Sequence, residues 1–568
     1  MGSYSLERPR AVEAFHGAVL LALMTTGAAV LLPAGVSRGF SLMAAPAGAA
    51  VAAVIGAALA LTGRGSQLLA RRSVREHLEP AHAILALLPL IPISNYALLN
   101  QDLLSLAGNI FFLLPNAILA IGLATVVPSL LSPFVSRRTS LSVGLGLGYL
   151  YCMMPTLTRQ NAWVEEGSFL TQVTVFGLVA GILFASYAAR TQVVYPLVIL
   201  LFAGNAAYTL WSRSLDMPPD PRAEWAFEAQ LGQRPPVRTP DVYLLTYDSY
   251  VANELMQEYG LDNHEQEEWL IERGFTIYRN TYSIGPGSKR SMSAMFGLVS
   301  EYSYVDRTRV TAGNSAVLRT LKRSGYRTYS VVNPFFRGPF ESQFDEPFFQ
   351  EDAWGSKLLL EALAAGRFRF DQQWVGLDHG LEVDAKRQVM AMTAGPPRFL
   401  WNHTGPHHSQ RSGRCLPDET ERYASRLEAA NEEMRGDVAA ATDSGRTSII
   451  VIHGDHGPFL RGDCAARLAG DPGGVHAADM RDAFGAFLAI RWPEDHEQSG
   501  LKIVQDTFPA VFSHIFDDPE VMEHRLPPVV PELSLLRGVG IDDGLITAGP
   551  DEGKLLFPPS GSPETPEL

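Results

Sequence analysis

The first 211 residues hold no lysine and consist mostly of long apolar runs. A helix crosses hydrocarbon with about 20 apolar residues, at about 1.5 Å of rise each. Seven segments fit that length and character: 12–33, 42–63, 82–99, 107–131, 140–157, 170–189 and 192–211. The third holds Pro89, Pro92 and Asn95, which suits a kinked or re-entrant segment. The first run is long, lacks an A-x-A site and is followed at once by another, so it reads as a span and not as a cleaved leader. A chain that begins this way is not a single soluble domain.

Loop charge tests the topology. With the N-terminus inside, Arg8, Arg10, Arg64, Arg71, Arg72, Arg75, Arg137, Arg138 and Arg190 fall on the inner side, and only Arg38 and Arg159 fall outside. That asymmetry obeys the positive-inside rule for seven spans and puts the C-terminal half outside. Six spans would put it in the cytoplasm. The anchor has two readings: a plain anchor, for which one span would suffice, or a membrane domain that helps bind a lipid substrate. Asn100, Gln101, Asp102 and Asn109 read as an outer-face loop.

The two halves differ in charge. Residues 1–212 carry 11 Arg and 7 acids, which leaves 35 of the 46 basic and 53 of the 60 acidic residues to the remainder, a net −18. An acidic outer half lacks the clustered cations that neutralise phosphate backbones, which argues against a nucleic-acid partner. The expected division is a membrane domain of about seven helices at 1–212, a juxtamembrane linker at 213–240, a catalytic domain at 241–548 and a flexible tail at 549–568. Pro and charge mark the linker, with a short helix at about 221–231 breaking it, and Pro, Gly, Ser and Glu mark the tail.

Between linker and tail, β-branched runs alternate with helical patterns. The pattern predicts strands at Asp241–Thr246, Arg327–Val332, Arg398–Asn402, Thr447–His453 and Phe484–Arg491. It predicts helices at 251–259, 263–273, 288–298, 314–323, 356–364, 382–393, 418–442 and 505–515. This is the signature of an α/β domain with a central mixed, mostly parallel sheet and helices on both faces. Sites in such sheets gather at the carboxyl ends of the strands.

Those ends carry the main signal. VYLLTYDSY ends at Asp248, TSIIVIHGDHGP runs into Asp455 and His456 before Gly457, and RFLWNHTGPHH ends with His403, His407 and His408. Any one acid at a strand end is commonly a cap or loop residue. Three such ends in one sheet point to a shared site. Two carboxylates and an imidazole are hard or borderline ligands, suited to Zn²⁺ or Mn²⁺. A group-transfer site also needs a nucleophile. In NTYSIGPGSKRSMSAMFGL, a Gly285-Pro286-Gly287 turn leads to Ser288 at a helix start, where backbone N–H groups favour anions. Lys289 and Arg290 add positive charge near an incoming phosphate. The alternative for Ser288 is an N-cap.

The motifs DVYLLTYDSY, the Ser288 helix, HTGPHH and IIVIHGDHGP, in that order, resemble the sulfatase-like branch of the alkaline phosphatase superfamily. The likeness is to its membrane-anchored members, phosphoethanolamine transferases and lipoteichoic acid synthases. It covers roughly 238–520 and the layout of the anchor, and GDHG after a hydrophobic strand is its most specific piece. The resemblance implies an alkaline-phosphatase-like fold with a divalent metal, Zn²⁺ or else Mn²⁺ or Mg²⁺, held by Asp248, Ser288, Asp455 and His456, with room for a second metal. It implies Ser288 as nucleophile, where the transferases usually carry Thr, and Ser291, Met295 and Phe296 suit that frame. His407 matches the histidine that meets substrate phosphate or a second metal, and His403, His408 and Lys289 fall in the substrate-binding set. His476 is a candidate further ligand, and His453 and His264 read as structural or surface residues. Ser283, Ser291 and Ser293 compete with Ser288. The HTGPHH loop is shorter than the transferase form. A sulfatase would carry x-Pro-x-Arg after its nucleophile; here the run is Ser288-Lys-Arg-Ser-Met.

The implied reaction moves a phospho-head group from a phospholipid to an envelope glycan or lipid, at a bacterial inner membrane with the catalytic domain on the periplasmic or extracellular side. A phosphodiesterase or sulfatase-like hydrolase on the same site is the first alternative. A non-catalytic ectodomain that binds a glycan or partner is the second. Of three cysteines, Cys152 falls in a span, and Cys415 and Cys464 follow two site loops closely enough to suggest a disulfide in an oxidising compartment.

Overall fold

In a computed structural model of the chain, the described residues are 222–231, 234–338, 340–348, 379–405, 418–461, 472–493 and 499–558, with Ile118 alone from earlier. Apart from Ile118 in the fourth, the seven expected spans lie outside them, as do the helix expected at 356–364 and Cys152, His407, His408, Cys415 and Cys464. Among the described residues, no helix is long and apolar enough to cross a membrane. All of them but Ile118 fall in one unit, Ser214–Phe349 with Asp378–Leu568.

That unit begins with α1 (Arg222–Leu231), β1 (Asp241–Tyr247), α2 (Asn253–Gln257), α3 (His264–Glu272) and β2 (Phe275–Ile277). Next come α4 (Ser288–Gly297), α5 (Tyr304–Thr311), α6 (Ala316–Arg323), β3 (Arg327–Val331) and β4 (Glu346–Phe348). Then follow α7 (His379–Met390), β5 (Arg398–Thr404), α8 (Glu419–Asp443), β6 (Ser448–His453), α9 (Ala477–Phe484) and β7 (Leu488–Arg491). The last elements are α10 (Thr507–Phe516) and a small pair, β8 (Ile541–Asp542) with β9 (Leu545–Ile546).

Seven strands form one sheet in the order β2-β7-β6-β1-β5-β3-β4. β1 pairs in parallel with both β5 and β6, and β3 pairs in parallel with β5 and β4. β7 is antiparallel to β6 and to β2, so it alone runs against the others. The mixed, mostly parallel sheet expected from the sequence is present.

Period-two alternation sorts each strand between two cores. Val242 and Leu244 of β1, Phe399 and Trp401 of β5, and Ile449 and Val451 of β6 face α1, α4, α6 and α10. Tyr243, Leu245 and Tyr247, with Leu400, Ile450 and Ile452, face α3, α7 and α8. Burial on both faces is why these strands read as nearly unbroken apolar runs. α4 is fixed by Phe296, whose ring lies 4.8 Å from Trp401 and 5.4 Å from Phe508. On the other face, buried Lys386 of α7 is paired with Glu433 and Asp437 of α8, and Tyr247 donates its hydroxyl to Asp437 at 2.8 Å. A third apolar cluster joins Tyr282, Phe484, Ile503, Val539, Ile541 and Leu556. Residues 549–558, placed in the tail by composition, thus contribute a buried leucine.

Differences from expectation have local causes. β2 and β4 are three residues each, too short for a period to register. α5 is rich in charge and β-branched residues, and it is held by Ser303, whose Oγ accepts from Asp306 N at 3.2 Å. The strand expected over Phe484–Arg491 starts at Leu488; Phe484 instead ends α9, and Gly485 bridges to Tyr282. α1, expected as a break in the linker, buries Phe227 and Leu231 in the first core.

Truncating the ring that ties α4 to the sheet, Phe296→Ala, should cost about 3–5 kcal/mol of stability, read from the denaturation midpoint. A second prediction concerns pH. Glu382 and Glu433 lift the His379 imidazole to about 10. The stability this adds is complete below the unfolded value of about 6.5 and is lost as pH rises through about 10. The midpoint should therefore fall over that alkaline window, and His379→Gln should flatten that part of the profile.

Candidate metal centre and nucleophile

β1 and β6 are adjacent and parallel, so the residues just past their carboxyl ends are neighbours. Asp248 follows β1, and Asp455 and His456 follow β6 after one glycine. Each offers one ligand atom, and the three atoms lie within 4.8 Å of one another, all on buried side chains. His456 Nε2 is 3.4 Å from Asp248 Oδ1 and 3.6 Å from Asp455 Oδ2. His456 Nδ1 donates to the Gly457 carbonyl at 2.8 Å, which fixes the ring and points Nε2 toward the carboxylates.

The chain around these residues is shaped to bring them together. Ser249 adopts a left-handed backbone at φ 64°. From there its N–H donates to Asp455 Oδ1 at 3.1 Å and its hydroxyl to Asp248 Oδ1 at 2.9 Å. Tyr423 of α8 donates to the Ser249 carbonyl at 2.7 Å. Gly454 must be glycine: a Cβ there would lie 1.9 Å from the Tyr250 carbonyl oxygen. Gly457 is alike, with the Asp482 carbonyl 2.0 Å from where its Cβ would stand.

His403, near the end of β5, meets Asp455 Oδ2 through Nε2 at 3.2 Å. Burial opposes a proton on this ring, but the bond to Asp455 and its charge raise the pKa. Burial likewise pushes the Asp455 carboxyl up, and His456 and His403 overcome that to hold it at about 2. The ring of Phe336 packs 4.5 Å from His403, and Phe459 packs 5.3 Å from His456.

Ser288 Oγ sits 3.3 Å from His456 Nε2. Ser288 is the first residue of α4, and Gly287 is the cap, so the N-cap alternative for the serine does not hold. The competitors are elsewhere: Ser283 and Ser291 bond each other at 2.9 Å in full burial, and Ser293 Oγ donates to the Arg290 carbonyl at 3.1 Å. The Lys289 ammonium is buried, donating to Thr308 Oγ1 at 2.9 Å and lying 4.2 Å over the Phe335 ring. Arg290 bonds the Leu533 carbonyl and Ser534 Oγ.

His476 is not part of the cluster. It stands at the start of α9, where its N–H donates to Asp479 at 2.9 Å, and its ring is 3.5 Å from Asp551. His453 is buried in the sheet, held down at about 4 by burial, and bonded to Thr246 at 2.8 Å. His264 lies on the surface, 3.0 Å from Glu268. Sequence reasoning missed Ser249; a left-handed serine beside a strand-end acid leaves no mark in composition or period.

The donor set fits a divalent cation of the zinc or manganese type: two carboxylate oxygens and one oriented imidazole nitrogen. Ser249→Ala removes the hydroxyl that orients Asp248. It should weaken zinc affinity about 10-fold to 100-fold, measured by competition with a chromophoric chelator.

No family model and no curated protein matches the chain. Solved structures do. The C-terminal periplasmic domain of EcEptC from Escherichia coli matches at 11% identity, over 49% of this chain and 82% of that one, with a TM-score of 0.35. A second structure of that domain is a complex with Zn. The integral membrane protein lipooligosaccharide phosphoethanolamine transferase A from Neisseria meningitidis matches at 14% identity, over 80% of this chain and 98% of that one, with a TM-score of 0.34. The lipoteichoic acid synthase LtaP from Listeria monocytogenes matches at 12% identity, over 54% and 82%, with a TM-score of 0.33. These proteins are of the kinds that the sequence motifs resemble.

Proposed function

We propose that the protein is a metal-dependent transferase. It moves a phospho-head group, phosphoethanolamine- or phosphoglycerol-like, from a phospholipid to an envelope glycan or lipid through a phospho-serine. The observation that carries this reading is Ser288 Oγ standing 3.3 Å from His456 Nε2, the atom that Asp248 and Asp455 flank at 3.4 Å and 3.6 Å. Ser288 is partly open to solvent while the three ligand candidates are buried. That is the arrangement a nucleophile and its metal holders require.

Asp248, Asp455 and His456 would hold the cation, with Ser288 Oγ beside it. When bound, it supplies Lewis acidity that favours the ionised serine and offsets charge on the phosphoryl oxygens. Ser288 Oγ attacks phosphorus in line; the Oγ–P bond forms and the bond to the diacylglycerol oxygen breaks. The leaving oxygen takes a proton from His407, which lies outside the described residues. An acceptor hydroxyl then gives its proton to His407 and attacks the phospho-serine; the Oγ–P bond breaks and Ser288 Oγ is released ionised, as it began. His403, carrying a proton favoured by Asp455, binds the phosphate with His408, and Lys289 adds positive potential from its seat on Thr308. Phe336 and Phe459 keep water off the two imidazoles. The anchor would place this chemistry at a bacterial cytoplasmic membrane, on its outer side, near its lipid donor.

The test is mass spectrometry of the full chain in detergent after mixing with phospholipids, with Ser288→Ala alongside. An adduct of phosphoethanolamine or phosphoglycerol mass on Ser288, absent from the variant, is the expected result. Turnover of lipid to free head group with no adduct would replace the transferase with a hydrolase. Absence of metal, adduct and turnover would replace the enzyme with a binding module.

A further inference from the structure

Gln505 lies in a short turn of helix just before α10, fully buried and more than 200 residues from Ser288 in sequence. Its amide makes bonds of both kinds to the segment that leads into the nucleophile. Gln505 Oε1 accepts from Ile284 N at 3.3 Å. Gln505 Nε2 donates to Ser283 Oγ at 3.1 Å and Ser291 Oγ at 3.0 Å, and lies 3.4 Å from the Ser291 carbonyl. Ser283 Oγ in turn reaches the Gly285 carbonyl at 3.0 Å and accepts from Gly285 N at 3.2 Å. One side chain therefore ties the residues before the turn, the turn itself and the first turn of α4 into a single unit.

The backbone repeats the clamp. Ser283 N donates to the Phe484 carbonyl at 2.8 Å, and Val504 N donates to the Tyr282 carbonyl at 3.0 Å. The segment is gripped by the end of α9 on one side and the lead-in to α10 on the other. Gly285 leaves no slack: a Cβ there would lie 2.8 Å from Ser291 N and from the Arg290 Cβ. Buried amides and hydroxyls with every bond made act as rigid struts, because each unmade bond would leave a costly buried polar group.

We infer that Gln505 is a positioning residue for the nucleophile. It fixes where the Gly285–Gly287 turn delivers Ser288 Oγ, through Ile284, Ser283 and Ser291, and touches no reacting atom. This rests on the reading of Ser288 as nucleophile. A 1 Å misplacement of a reacting group lowers rate by up to about 100-fold while leaving ground-state binding little changed.

The experiment uses the full chain in detergent with zinc and bis(4-nitrophenyl) phosphate as probe. Gln505→Leu keeps the bulk and removes the bonds; Ser291→Ala is the second variant and removes one hydroxyl that the amide holds. The expected result is a kcat reduced roughly 10-fold to 100-fold for Gln505→Leu, and less for Ser291→Ala, with KM and zinc content unchanged per folded molecule. A merely structural glutamine would lower the melting temperature and leave kcat per folded molecule intact, and that outcome in both variants overturns the inference alone. A zinc-loaded wild type that does not turn over the diester overturns the reading of Ser288 and this inference with it.

Discussion

Asp248 and Asp455 bring two carboxylates together inside a pocket that hides both from water, and the rest of the domain is arranged around that constraint. Like charges so close repel, and burial adds a desolvation cost to each. The offset comes from specific donors. The Ser249 hydroxyl meets Asp248, the Ser249 amide and His403 meet Asp455, and His456 stands against both. A divalent cation at the same point would complete that balance. Each donor needs its own support. Ser249 needs a left-handed backbone, held by Tyr423 from α8. His456 needs the Gly457 carbonyl, and Gly454 must let β6 pass the Tyr250 backbone.

The sheet makes that convergence inexpensive. β1 is central, with β6 on one side and β5 on the other, all parallel. Side chains at or just past the carboxyl ends of those three strands then share one edge without any long loop having to find the site. Ser288, the proposed nucleophile, arrives from a different direction, on α4, whose buried face is locked by Phe296 against Trp401 and Phe508. Division of labour follows: the strand ends hold charge, and the helix start delivers the hydroxyl.

What could be read in advance follows from how each feature is encoded. The three central strands are apolar on both faces, so their runs stand out, and an acid or imidazole ending such a run is conspicuous; hence Asp248, His403, Asp455 and His456 were legible. Ser288 was legible through the glycine turn before it. β2 and β4 are too brief for any period, and α5 has poor helical composition and depends on its Ser303 cap. Gln505 meets partners more than 200 residues away, and Ser249 needs a left-handed backbone to reach Asp455 and Asp248 together, neither of which a linear pattern records. His476 shows the opposite failure. Its position after GDHG invited a ligand role, but it stands at the start of α9, beside Asp479 and Asp551.

A metal centre of two strand-end carboxylates and one imidazole has a spectroscopic signature. X-ray absorption at the zinc edge, on the full chain loaded with one equivalent of zinc, should show one zinc per chain with one imidazole nitrogen and otherwise oxygen donors, at about 2.0–2.2 Å. A shell containing sulfur from any of the three cysteines, or no stoichiometric zinc at all, would contradict it.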